Sequence, residues 1–238
     1  VSTMCMDMSL AAPVGAVYCL DADTLSAAKI DGLVTPNGMA FSPDGRTLYL
    51  SDSHPSVQKI WVFDFDTAQG TVARRREWVD MSALPGRPDG AAVDDQGNYW
   101  ICGNDAGLVH RFSPQGELLL SLPVPVSKPS MCAFGGPEMD VLFVTSIQPA
   151  TPLGADAKMS GAVIALHCAA RLQGRRAPPQ HVLSIPRGAW PRRGRGSRWA
   201  HRQPAHRREQ QPVEVAVLHV EHEGRRPRHT GDEIGRAS

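Results

Sequence analysis

The stretch TPNGMAFSPDG, Thr35 to Gly45, decides the fold because its pattern returns fifty-two residues later as RPDGAAVDDQG, Arg87 to Gly97. Each copy runs Pro, then an amide or acid, then Gly, then a short apolar run and a second turn. A third copy, PSMCAFGGPEMD, occupies residues 129–140. An internal repeat of this length marks one supersecondary unit used several times.

Working outward, each copy is followed by a strand-length apolar run: RTLYLSDS, NYWICGN and VLFVTSI. A third run follows each of these, in QKIWVFDFD, GLVHRFSPQG and GAVIALHC, and the same pattern stands upstream as GAVYCLDAD, residues 15–23. TVARRREWVDM and ELLLSLPVPV suit polar fourth strands at a sheet edge. Four strands per repeat, separated by Asp-Gly, Gln-Gly and Pro-Gly turns, predict an all-β chain of the propeller kind. Up to residue 168 no sustained 3.6-residue apolar period is present. Three blades are legible, together with the tail of an earlier one in VSTM and GAVYCLDAD. Rings need about four to eight blades, so the chain is expected to begin inside a propeller.

Two domains of unlike composition are predicted, a propeller fragment over 1–168 and a tail over 169–238. All six Phe and all three Tyr precede residue 144, whereas the tail is rich in Arg, Pro, Gly and His. A disordered basic tail and out-of-frame translation foreign to the fold are the two readings, the second favoured for its Trp and His content. No catalytic residue is expected there.

The formal net charge of +1 singles out no partner class, no run approaches the roughly 18 apolar residues of a membrane span, and no aromatic platform for bases is evident. Neither a nucleic acid nor a membrane is therefore an expected partner, and a monomer is. The start lacks a basic leader and carries Asp7 in its first apolar stretch, which argues against a signal peptide. Five cysteines without CxxC spacing read as reduced thiols of a cytoplasmic protein.

Asn37 and Asp89 hold one position in consecutive blades, where inner strands begin at a mouth of the central channel. An amide oxygen and a carboxylate converging there suit a hard divalent cation such as Ca²⁺ or Mg²⁺, or Zn²⁺ or Mn²⁺. Pro-Asn-Gly and Pro-Asp-Gly are also ordinary turn signals, so the pattern alone leaves turn and metal ligand both open. Asp52 is a candidate support for the site by hydrogen bonding. His54 reads as a surface-loop residue, and His110 as solvated or packed. Trp61 and Trp100 fall where blades should pack.

The Pro-Asn-Gly followed by Ser-Pro-Asp-Gly, the Tyr-x-x-Asp-Ser strand, Pro-Asp-Gly-x-x-x-Asp and the Phe-Gly-Gly turn together resemble the regucalcin family, also called the gluconolactonase, senescence-marker-protein and luciferin-regenerating-enzyme family. The resemblance runs over about residues 1–167. It implies a partial six-bladed β-propeller of about three and a half blades, one divalent cation and hydrolysis of a sugar lactone. It implies Asn37 and Asp89 as metal ligands, with Asp89 also the acid/base, and Asp7, after Thr3 and Met4, as a sugar contact. The family's further ligand, a Glu, and its substrate-binding Arg and Asn have no counterpart in this sequence. Alternatives are a non-catalytic ligand-binding propeller and an esterase-like or phosphotriesterase-like one.

Overall fold

The computed structural model describes residues 1–5, 7, 9–21, 24–151 and 159–167, and the backbone of Glu214–Leu218. The elements are antiparallel strands arranged as successive sheets of a partial propeller. β1 (Ser2–Thr3), β2 (Gly15–Val17) and β5 (Ile30–Leu33) form a three-stranded sheet, and β3 (Leu20–Asp21) and β4 (Thr24–Leu25) form a small hairpin. GAVYCLDAD is thus not one strand, as its composition suggested. It divides between β2 and β3, with the fourth place of the first sheet's pattern taken by Ile30–Leu33.

The first full blade is β6 (Pro36–Phe41), β7 (Thr47–Asp52), β8 (Lys59–Asp66) and β9 (Thr71–Asp80). The second is β10 (Arg87–Val93), β11 (Tyr99–Asn104), β12 (Leu108–Phe112) and β13 (Leu118–Pro123). The third is β14 (Pro129–Gly135), β15 (Val141–Ser146), β16 (Val163–His167) and β17 (Glu214–Leu218). β17 lies inside the segment assigned to the tail, yet its backbone pairs with β16 from Val163↔Leu218 to His167↔Glu214. The Val-Ala-Val run at its centre is of strand-forming type. The remainder of 169–238 lies outside the described residues.

Period-two alternation explains how the sheets stack. All of β11 is buried, and its residues divide by parity between two seams. Tyr99 and Ile101 join Tyr49, Ile60, Val62 and Phe112 between the first and second blades. Trp100 and Cys102 join Cys132, Leu142, Val144 and Ile164 between the second and third. β7 behaves likewise: Tyr49 faces the second blade, while Leu48 and Leu50 meet Val17, Ile30 and Leu33 of the N-terminal sheet. Trp100 is fully buried, donates Nε1 to Asp94 Oδ2 at 3.0 Å and packs edge-on to Phe134. Trp61, half-buried in the seam between the N-terminal sheet and the first blade, carries the Arg75 guanidinium 4.0 Å above its ring. A one-residue slip of β11 would reverse both faces, so register here is strongly specified.

Among the described residues no helix is long and apolar enough to cross a membrane.

Candidate functional site

The repeated Pro-x-Gly marks a bulge. Pairing of each inner strand with its neighbour shifts register at the same place: between Asn37 and Ala40, Pro88 and Ala91, and Pro129 and Met131. A β-bulge bends the strand and re-aims the side chain beside it. β10 packs against both β6 and β14, so the three bulges sit side by side at one end of the inner strands.

Glycine is required at two of them by close approach. Gly38 has φ +55°, and a Cβ there would lie 2.5 Å from Tyr99 Oη and 2.6 Å from Ser51 Oγ. At Gly90 a Cβ would lie 2.6 Å from the Ser130 carbonyl oxygen. Cross-blade hydrogen bonds use the space: Tyr99 Oη donates to the Gly38 carbonyl at 2.6 Å, Ser53 Oγ donates to the Pro88 carbonyl, and Arg87 Nη1 donates to the Ser53 carbonyl at 3.4 Å. The third blade places Ser130 at the equivalent point, hydrogen-bonded to Thr145 Oγ1 at 2.9 Å, and Met131 in place of glycine.

These constraints bring Asn37 and Asp89 into contact. Asn37 Nδ2 donates to Asp89 Oδ1 at 2.6 Å, while the Gly38 amide donates to Asn37 Oδ1 at 3.0 Å. Asn104, at the end of β11, donates Nδ2 to Asp89 Oδ2 at 2.7 Å. Asp89 is therefore gripped on both oxygens by side-chain amides from two blades. Burial pushes its carboxyl above the ordinary range, against the opposing pull of Asn104, Asn37 and the Arg87 charge. A carboxylate so placed is more basic than one in water.

Asn104 was not among the residues selected from sequence. Its signal is positional: Arg87 pairs with Asn104 across the β10–β11 ladder, so a polar residue ending the second strand must stand beside the start of the first. Ser53 holds the comparable place in the first blade and also reaches the second blade's turn. Asn104 Oδ1 is buried with no hydrogen-bond partner among the described residues, a situation costing about 1–3 kcal/mol.

The other candidates lie further out. Asp52 is buried and accepts from the backbone amides of Val34 at 2.7 Å, Thr35 at 2.9 Å and His54 at 3.0 Å. It fixes the chain entering Pro36, and none of these hydrogen bonds runs to Asn37 or Asp89. Asp7 is exposed, and its Oδ1 accepts from Ser9 N at 3.0 Å and Ser9 Oγ at 2.6 Å; the Ser9 hydroxyl and amide lower its carboxyl. It is not hydrogen-bonded to the Asn37–Asp89 pair. His54 is buried rather than in a surface loop, because the Asp52 carboxylate draws its amide inward and Nδ1 meets Ser56 Oγ at 2.7 Å. His110 is packed, with Nε2 2.9 Å from the Pro85 carbonyl and Nδ1 2.9 Å from Ser121 Oγ.

The donor set accords with a hard cation: one carboxylate and two amides, one of which keeps a buried oxygen unpaired. A half-turn of the Asn37 amide would face Oδ1 toward Asp89 Oδ1, an arrangement of two acceptors that a cation between them would stabilise. Among the described residues no group of three His, Cys, Asp or Glu side chains is assembled, so Asp89 is the charged member of the cluster.

Comparison with known proteins places the chain in a family. The chain is 38% identical over 132 residues to the 6-deoxy-6-sulfogluconolactonase of Pseudomonas putida, covering 56% of this chain and 45% of that protein. It is 32% identical over 151 residues to the pentonolactonase XacC of Haloferax volcanii, covering 58% and 51%. The chain thus spans about half the length of these curated relatives. The crystal structure of regucalcin, a calcium-binding protein from Agrobacterium tumefaciens, superposes with a TM-score of 0.64 at 24% identity, over 74% of this chain and 59% of that one, a likeness of fold. Residues 1–148 match the family described as the SMP-30/Gluconolactonase/LRE-like region, and the chain belongs to that family.

Proposed function

We propose that this chain carries two of the metal ligands of a divalent-cation-dependent lactonase that opens a sugar lactone to its hydroxy acid. The observation that carries the reading is the contact of Asn37 with Asp89 across two blades, at 2.6 Å, in a chain whose relatives include two named lactonases. Asn37 and Asp89 would hold the cation, of the Ca²⁺, Mg²⁺, Mn²⁺ or Zn²⁺ class, which when bound supplies Lewis-acid polarisation of a carbonyl.

Asp89 would serve a second role as acid/base. Its half-buried carboxylate takes a proton from the attacking water as the new C–O bond forms. It returns that proton to the ring oxygen as the ester C–O bond breaks. Asn104 holds the carboxylate in one orientation during both transfers. Asp52 keeps the Pro36 turn in place through its three backbone amides. Asp7, on the exposed N-terminal segment, is the proposed sugar contact. The enzyme is read as monomeric and cytoplasmic, in keeping with the free, buried thiols of Cys102 and Cys132.

Calorimetric titration with Mn²⁺ and Ca²⁺ tests the assignment: the chain should bind one equivalent, and Asp89→Ala should abolish binding. Retention of affinity in that variant removes the site. A pH-stat assay over aldonolactones, aryl esters and organophosphates separates the chemistry, and turnover of only the latter two overturns the lactonase reading.

A further inference from the structure

The side chain that holds the far oxygen of Asp89 is itself held on every side. Asn104 is 3% exposed. The next residue, Asp105, has φ +73° and is ion-paired with Arg87 at 2.7 Å and with Lys128, which fastens the turn to the β10 start and to the third blade. On the other side, a Cβ at Gly103 would lie 2.9 Å from His110 Nε2, so that face of the strand end is close-packed. From there Nδ2 reaches Asp89 Oδ2 at 2.7 Å, while Oδ1 is buried without a hydrogen-bond partner among the described residues. A residue serving packing alone would be apolar or fully bonded, because an unpaired buried carbonyl opposes folding. The amide therefore stands there for what its donor does.

We propose that Asn104 is a positioning residue that locks the rotation of the Asp89 carboxylate, holding Oδ2 so that the edge beside Asn37 is the one offered for chemistry. This rests on the reading of Asp89 as ligand and acid/base. With Oδ2 engaged by Asn104, a turn of the Asn37 amide would free Oδ1 alone, the mode suited to small octahedral cations rather than to bidentate binding of Ca²⁺. Partners that orient a ligand in this way typically alter metal affinity or activity about 10- to 100-fold when removed.

The test uses the whole chain with Asn104→Leu, which keeps the shape and deletes the amide, and Asn104→Asp, which exchanges the donor for a charge. Mn²⁺ and Ca²⁺ are titrated calorimetrically, and thermal unfolding is followed without added cation. Asn104→Leu should weaken Mn²⁺ binding about tenfold or more and Ca²⁺ binding less, with the cation-free melting temperature unchanged or raised. Asn104→Asp should weaken both unless the added charge itself ligates, which would appear as a gain and overturn the proposal. Mn²⁺ affinity within about twofold of wild type in Asn104→Leu, while Asp89→Ala abolishes binding, also overturns it and leaves the functional reading intact. Should the wild-type chain bind neither cation, the functional reading fails instead. The lock is then decided by a cation-free double-mutant cycle of Asn104→Leu with Asp89→Ala. Unfolding constants that depart from multiplicativity by about threefold or more support it, and agreement within twofold refutes it.

Discussion

Asp89 lies near the start of β10 and Asp94 just after its end, and the two carboxylates differ in burial and in partners. Asp94 is fully buried and saturated. It accepts from Asn98 N at 2.8 Å, Gln96 N at 3.1 Å, Asn98 Nδ2 at 3.0 Å, Trp100 Nε1 at 3.0 Å and Arg111 Nη2 at 2.8 Å. A carboxylate so paired ties a hairpin turn to the seam beneath it. Asp89 is half-buried, meets two neutral amides, and is pushed up by burial. Saturation by a cation and donors within its own blade gives rigidity. At Asp89 neutral partners contributed by different blades oppose the effect of burial without cancelling it, and the carboxyl stays raised.

The largest effect that would break this comparison is on stability. Asp94→Ala leaves the Arg111 guanidinium, the Trp100 indole N–H and the Asn98 amide without their acceptor, and should cost about 3–5 kcal/mol, read as the shift in urea midpoint. A loss no greater than that of Asp89→Ala would mean the two carboxylates do not differ in kind.

Next in size is the bulge that presents Asn37. Gly38→Ala adds a Cβ into Tyr99 Oη at a backbone angle of +55°; strain and clash together should cost about 2–4 kcal/mol. Gly32→Ala, at φ +67° with nothing within 4 Å, should cost only the strain, about 1–2 kcal/mol. Equal losses in urea unfolding would show that close approach of the blades at Gly38 contributes nothing.

The smallest effect is the pH response of His110, which braces the Pro85 carbonyl ahead of Asp89. Burial holds this imidazole below its ordinary value, with the Pro85 hydrogen bond opposing. The unfolded chain then binds the proton first, so stability is complete above about pH 6.5 and declines as pH falls through that value toward the lower folded one. His110→Gln should flatten the pH dependence of the melting temperature over that window. A profile unchanged by this substitution would place the acid sensitivity elsewhere.

Much of this was legible beforehand because it is local. Pro-x-Gly, followed by an apolar strand and a Ser-Pro-Asp-Gly or Asp-Asp-Gln-Gly turn, specifies a bulged inner strand wherever it occurs. Its recurrence put Asn37 and Asp89 in equivalent places that the fold brings to 2.6 Å. Asn104 escaped notice because nothing in Cys-Gly-Asn marks it. Its partner lies fifteen residues back and is reached only through the β10–β11 register. His54 was misjudged for a similar reason: Pro55 signalled a loop, but the Asp52 carboxylate beside it folds that loop inward. The GAVYCLDAD run looked like one strand by composition, yet it breaks after Val17, where Lys29 N takes the Val17 carbonyl and Ile30 takes the pairing.

The order of residues by itself determined the strand period, the bulge sites and which two side chains repeat, since steric and conformational preferences act over a few residues. Only the tertiary structure decided which oxygen of Asp89 meets which amide, that Asn104 closes the cluster, and that burial raises the carboxyl. Those outcomes depend on how closely separate sheets approach, and that spacing is set by the packed seams between them.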